Sequence, residues 1–455
     1  MRKRSLDVGL AGVAFSALMV ALVANPSASF AQSIRETVQI AIDSNPRVAG
    51  AVDNRRTADA ELRQARGLYL PQVNLSGGYG PEYSDNSFTR TSGNAKHFRQ
   101  DISAILTQRL YDGGDADGNV DSQKARSRAT AHRVREAADL LALDAIEAHL
   151  DVVRLRRILD IAETNITSHR NILELVRRSA TGGAGTQADL AQANSRLDQA
   201  ITDREETRGL LREAEATYLD LTGIPPATLL EAPLAVGVLT AGIDASVRLA
   251  EQYNPTINAS DADIESAKAQ IDVADARFVP QISAEISGSH DRNVDGFPQR
   301  DEEARALIDF KWNLYAGGSD VANRDAAYGR YSKAKNDKLQ VVRRTDEDLR
   351  RAWANYDASQ RRVASLRRVV QSNKTVVAAY QQQYQAGRRS LIEVLDATNE
   401  EFQTQTRLVV AEETAVFAGY HILTVEGRLL TSLAINLPLE SDPEKKAPRP
   451  NTSLP

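Results

Sequence analysis

The string "IEVLDA" near the end of this 455-residue chain places two carboxylates, Glu393 and Asp396, three positions apart. On a helix that spacing projects both acids from one face. On a single exposed helix they amount to a solvated acidic edge; repeated around a threefold axis they would make six acids at a constriction, attracting cations and repelling anions. A second pattern, "DRNVDGFPQRDE" at 291–302, fits a calcium-loop spacing through Asp291, Asn293, Asp295, Gly296 and Glu302. Its context is that of strands rather than helices, and Pro298 stands at the usually aliphatic eighth place. A solvated hairpin turn at Asp295-Gly296 is therefore expected there, and no metal is assigned.

Other chemistry is sparse. The six histidines, at 97, 132, 149, 169, 290 and 421, include no i,i+4 pair, which leaves metal catalysis unsupported. There is no phosphate-cradling glycine loop and no nucleophile elbow. The chain has no cysteine, which excludes disulfides, zinc thiolates, thiol catalysis and a lipidated cysteine. No enzyme activity and no cofactor are expected; energy must come from partners.

The elements that position the acids are laid out twice. Asn45-Pro46 returns as Asn254-Pro255, and Pro71-Gln72 as Pro280-Gln281, both at a shift of 209. Beyond a loop five residues shorter in the second copy, "LYDGGD" at 110–115 meets "LYAGGS" at 314–319, Gly183 meets Gly387 and Gly223 meets Gly427, all at a shift of 204. This is an internal duplication with one indel. It predicts a first repeat over 32–240, a second over 241–438, and a disordered tail over 439–455.

Each repeat predicts a helix, over about 34–68 and 244–278, ended by Pro71 or Pro280, because proline removes a donor and disfavours helix in its predecessor. Strand pairs follow, at about 72–110 and 281–315. In the second, Ile282, Ala284, Ile286 and Gly288 go out and Ala306, Ile308, Phe310, Trp312 and Leu314 return on one face, with polar residues between them. Val73, Leu75, Tyr79, Ile102, Ala104 and Leu106 repeat this more weakly. Then come about 65 residues without proline, on the order of 95 to 100 Å of helix. Turns at about 180–187 and 384–390 reverse the chain into further helices ending near Leu221 and Val425.

Four strands cannot close a barrel, and open apolar edges need partners. Three chains supply twelve strands and two supply eight; the alternative is a soluble β-sandwich edge carrying coiled-coil stalks. On the barrel reading, Pro71 and Pro280 mark where a periplasmic helical wall enters an outer-membrane barrel.

The first residues, "MRKRSLDVGLAGVAFSALMVALVANPSASFA", have a basic start, an apolar middle and small residues before a cut. They predict an export signal over 1–31, against the alternative of an uncleaved anchor. No later run approaches the ~18 apolar residues of a membrane helix, so strands must make any crossing. The net charge of −5 makes nucleic acid an unexpected partner.

The "NP" helix starts, the "LPQV" and "VPQI" junctions, the "LYxGG" exits and above all "YQAGRRSLIEVLDATN" at 384–399 resemble the TolC family of outer-membrane channels across essentially the whole mature chain. The resemblance implies an α+β membrane protein: a homotrimer sharing a twelve-stranded barrel, with long antiparallel helical hairpins forming a periplasmic tunnel. Its implied partners are a periplasmic adaptor, an inner-membrane ABC or RND-type pump and outer-membrane lipid. It further implies an entrance ring at Glu393 and Asp396, where the first position is usually Asp, and a gate latch of Tyr384, Arg389 and Asp189 that bonds neighbouring helices. The residue beside Asp189, usually Thr, is Ala188. Gly183 and Gly387 would let an adaptor's tip approach. The absent lipidated cysteine tilts the resemblance towards type I protein secretion, with small-molecule efflux as the alternative. A periplasmic coiled-coil adaptor is the competing class; two amphipathic strand pairs disfavour it.

Overall fold

A computed structural model describes residues 31–93, 96–183, 185–232, 238–240 and 242–445. The expected export signal falls almost wholly outside them. The predicted single helices before each strand pair are each two. Ile34–Ser44 (α1) and Pro46–Arg66 (α2) divide at Asn45, and Ile243–Tyr253 (α6) and Pro255–Asp275 (α7) divide at Asn254. The cause is local: Pro46 and Pro255 open the second helix of each pair, and the Asn45 and Asn254 side chains accept from the first free amides, Arg47 N and Thr256 N. After a 3-10 turn, Leu70 and Val279 are extended, as residues before proline tend to be, and the strands begin one residue past Pro71 and Pro280.

The strands are β1 (Gln72–Tyr83), β2 (Lys96–Tyr111), β3 (Gln281–Arg292) and β4 (Arg300–Lys311), in one antiparallel sheet of order β1-β2-β3-β4. The second return strand stops at Lys311, short of the predicted Leu314; Trp312 instead donates its indole N–H to the Phe278 carbonyl. The hairpin registers obey the duplication, since Val73 faces Leu106 and Ile282 faces Phe310. One cross-strand row therefore reads Val73, Leu106, Ile286, Ala306. This apolar face lies bare in the single chain, with Leu75 and Ile308 both 72% exposed. The opposite face carries Asn74, Ser76, Ser103, Glu285, Arg305 and Asp309. β1 and β4 are free edges.

A short helix, α3 (Ser87–Ser92), sits in the β1–β2 loop. Beyond each return strand a double glycine starts a 67-residue helix, α4 (Asp115–Thr181) or α8 (Ser319–Gln385). Each spans about 100 Å. At Gly113, φ is +71° and a Cβ would strike Val279, so the strand-to-helix corner of the first repeat closes onto the helix-to-strand corner of the second. The return helices are α5 (Gln187–Thr222) and α9 (Leu391–Val425), and α10 (Leu429–Ser432) follows. One 18-residue window of α9 reaches a mean hydropathy of 1.3, more than the sequence reading allowed, but most of it is buried within the helical layer.

The main core gathers α1, α2, α4, α9 and α10 around Val38, Leu141, Ile146, Leu423 and Leu429. Beside it the duplication keeps a buried polar node while changing its chemistry. Thr37 Oγ1 lies 2.9 Å from His149 Nδ1; at the equivalent positions the Trp353 indole donates to Ser246 Oγ at 2.9 Å, and Ser246 donates to buried Glu426. The tail corrects one expectation. Residues 439–445 are placed rather than disordered, because Glu440 is buried and paired with Arg56 at 2.8 Å, while Arg55 donates to the Lys445 carbonyl. The rest of the tail lies outside the described residues.

Candidate functional site

The tips of the two hairpins bring the predicted gate residues together. Ile172, Leu173 and Val176 of α4, Ala193 of α5 and Leu391, Val394 and Leu395 of α9 form one apolar cluster, against which Tyr380 and Tyr384 of α8 pack. This cluster joins the first hairpin to the second at their ends. Burial and the nearby Asp189 carboxylate push the Tyr384 hydroxyl's pKa up. The turns reverse through Gly183 (φ +80°) and Gly387 (φ +71°), both open to solvent where a side chain would stand.

Asp189 and Glu393 turn out to be one device used twice. Both are the third residue of their helix, at equivalent positions of the repeats. Asp189 Oδ2 accepts from Thr186 N (3.0 Å) and Thr186 Oγ1 (2.8 Å); Glu393 Oε2 accepts from Ser390 N (3.1 Å) and Ser390 Oγ (2.6 Å). Each carboxylate satisfies an orphan amide at a helix start. The signal is legible in "TQAD" and "SLIE", each with the spacing of a capping box.

In the single chain, Arg389 of the implied latch makes its contacts within its own hairpin. Its guanidinium lies 3.8 Å from the Tyr380 ring centroid, donates to Gln383 Oε1 at 3.0 Å and pairs with Glu393 Oε1 at 2.6 Å. The Ser390 hydroxyl and amide, together with Arg389, hold the Glu393 carboxyl down to about 2. Asp396 has a different partner. It accepts from Arg196 Nη2 of α5 at 2.8 Å, a contact across the two repeats that the sequence reading did not anticipate. Both candidate ring acids are therefore countered by an arginine of the same chain.

The calcium-loop residues serve another purpose. Asn293 Nδ2 donates to the Phe98 carbonyl at 2.9 Å, Asn86 Nδ2 donates to the Asp295 carbonyl at 2.7 Å, and Phe88 stacks on Phe297. These contacts lock the two hairpin loops together. Asp291 lies in register between Asp101 and Asp301, and Glu302 accepts from Arg300 and meets His290. Among the described residues no three acidic or histidine side chains converge as metal ligands.

Farther up, between α4, α8 and α9, a cavity of about 380 Å³ is lined by Arg157, Gln360, Arg367, Glu412 and Glu413. Glu412 takes both arginines, at 2.9 and 2.8 Å. Glu413, only 7% exposed, has no hydrogen-bond partner among the described residues, with Arg154 Nε 3.5 Å away; burial raises its pKa to about 8.

The family described as "Outer membrane efflux protein" matches residues 37–223 and 247–418, one segment in each repeat. The outer membrane efflux protein BepC of Brucella suis is 24% identical, over 92% of this chain and 90% of the relative. The alkaline protease secretion protein AprF of Pseudomonas aeruginosa is also 24% identical, over 88% of this chain and 84% of the relative. The fold matches the crystal structure of the Campylobacter jejuni CmeC outer membrane channel with a TM-score of 0.78 at 15% identity, covering 87% of this chain and 86% of that one.

Proposed function

Because this chain belongs to the outer membrane efflux protein family, whose members are outer-membrane channel proteins rather than enzymes, we propose that three copies close into one export channel. The twelve strands form a barrel, the helices a tunnel through the periplasm, and the hairpin tips a gated entrance. A periplasmic adaptor and an inner-membrane pump of ABC or RND type deliver the cargo. The observation that carries this reading is the four-stranded sheet: apolar on one face, polar on the other, free at both edges, and continuous with helices of about 100 Å.

For cargo we favour type I protein secretion, supported by the nearly full-length likeness to AprF, a relative named for protease secretion. Small-molecule efflux is the second reading, favoured by the equal identity to BepC. Deleting the protein and comparing secreted polypeptides with drug sensitivity tests the choice. Loss of one large secreted polypeptide with unchanged drug tolerance is the expected result; hypersensitivity with an intact secretome would select efflux.

A further inference from the structure

We propose that Arg196, through its bridge to Asp396, is the tie that holds the second hairpin tip against the first, so that closure of the tip and cation capture by Asp396 compete for one carboxylate. The proposal rests on the reading of the tips as a gated entrance and adds a residue that this reading does not contain.

Three observations carry it. At the tips the bonds of Asp189, Glu393 and Arg389 all stay within one hairpin. The Arg196–Asp396 pair joins residues 200 apart, on α5 and α9. Among the described residues it is the ion pair that crosses between the hairpins at this end. It also lies directly over the apolar cluster that includes Ala193 and Leu395, one helical turn or less from each partner. The cluster resists separation of the tips by burial alone, whereas the pair fixes their angular register. Finally, the Asp396 side chain is 59% exposed and Arg196 is its one partner among the described residues. A multivalent cation can therefore reach the carboxylate, where the guanidinium on Oδ1 opposes it by like charge, so that each weakens the other's hold on one acid.

Glu393 cannot substitute, since both of its oxygens are already engaged by Ser390 and Arg389. Arg196 thus couples the site's cation affinity to its closure. An exposed pair is weak alone, but a ring of three repeats it at one constriction.

Purified protein in planar bilayers, with hexamminecobalt(III) as the cation, tests this. Arg196→Gln should raise conductance and lower the blocking concentration by about threefold or more, in keeping with an exposed pair. Asp396→Asn should raise conductance while weakening block. The reversed double variant, Arg196→Asp with Asp396→Arg, should return conductance to the parent level.

Native mass and thermal melting check that each variant is assembled. The cysteine-free chain also permits spin labels at Ser195→Cys and Glu400→Cys in trimers diluted with unlabelled protein. Their distance distribution should broaden in Arg196→Gln and narrow again in the reversed pair. If Arg196→Gln leaves conductance, block and label distance as in the parent, the tie is refuted. A parent protein that does not conduct would defeat the channel reading instead, and the label distances would then decide the tie by themselves.

Discussion

Leu106 of β2 stands directly opposite Ile286 of β3, and this pair stitches the first repeat to the second. Shifting each residue to its equivalent in the other repeat leads to Phe310 and Gly77, one on each free edge of the sheet. The same operation carries the Ala104–Gly288 pair to Ile308 and Tyr79, and the Gln108–Ala284 pair to Trp312 and Leu75. A ring of identical chains closes by a head-to-tail interface, so these are the expected pairs between protomers. Gly317, open here although Gly113 abuts Val279, would then receive Leu70 of the neighbour. Oxidised Ile308→Cys/Tyr79→Cys protein should run as covalently linked trimers. Linkage only in a variant offset by one residue would refute the register, since a one-residue slip turns every side chain to the opposite face.

The locked loops yield a second prediction. Residues 84–93 and 293–299 should lie outside the cell as one unit, because outer-membrane barrels place their longer loops there. Gly296→Val, whose added carbon would strike Thr89 at a left-handed φ of +83°, should unlock them. Added protease on intact cells is expected to cut this variant faster than the parent. Cleavage only after the outer membrane is permeabilised would invert the topology.

Glu393 is held by three donors and Asp396 by one, so the two acids should behave differently. Asp396→Asn is expected to weaken cation preference more than Glu393→Gln. The second substitution should mainly loosen the start of α9, seen as faster amide exchange over 390–396. With its pKa lowered, Glu393 contributes its cap fully above the ordinary carboxylate range and loses it as pH falls through about 2. An NMR titration of its carboxyl with a midpoint near 4.5 would show that the cap does not form in solution.

Glu413 has the opposite sign. Its folded pKa of about 8 lies above the unfolded value, so the fold binds its proton more tightly. Stability from this group is present at low pH and lost as pH climbs from about 4.5 to 8. Glu413→Gln keeps the shape without the charge. It should raise the melting temperature at pH 9, by an amount matching roughly 1–3 kcal/mol for a buried unsatisfied group, and change little at pH 5. Equal effects at both pH values would count against a protonated Glu413.

Much of this architecture was legible because duplication and period are local signals. The alternation in "QISAEISG" shows which face of β3 is apolar, and the 209 and 204 shifts found in the sequence carry the register of one hairpin onto the other. The break at Asn45-Pro46 was readable too, but the helical reading ran through it, because one proline at a first helical turn interrupts no apolar stripe. At the tips, residue type was read more securely than role. An acid three positions after a threonine or serine can cap a helix, line a pore or do both, and only the bonds of Asp189 and Glu393 reveal the cap. The Arg196–Asp396 bridge, the interlocked loops and the packing of Glu440 on Arg56 join residues hundreds of positions apart, and no spacing rule reaches that far.

The central seam of the sheet also imposes an order in time. β2 cannot find β3 until α4, α5, α6 and α7 have all left the ribosome, an interval on the order of ten seconds at about 5–20 residues per second. Throughout it the β1–β2 hairpin is a two-stranded ribbon, marginal in water and offering Val73, Leu75 and Tyr79 to any passing surface. Until β3 arrives, the inner edge of that hairpin lacks the neighbour that later covers it, so the first repeat's sheet is finished by the second.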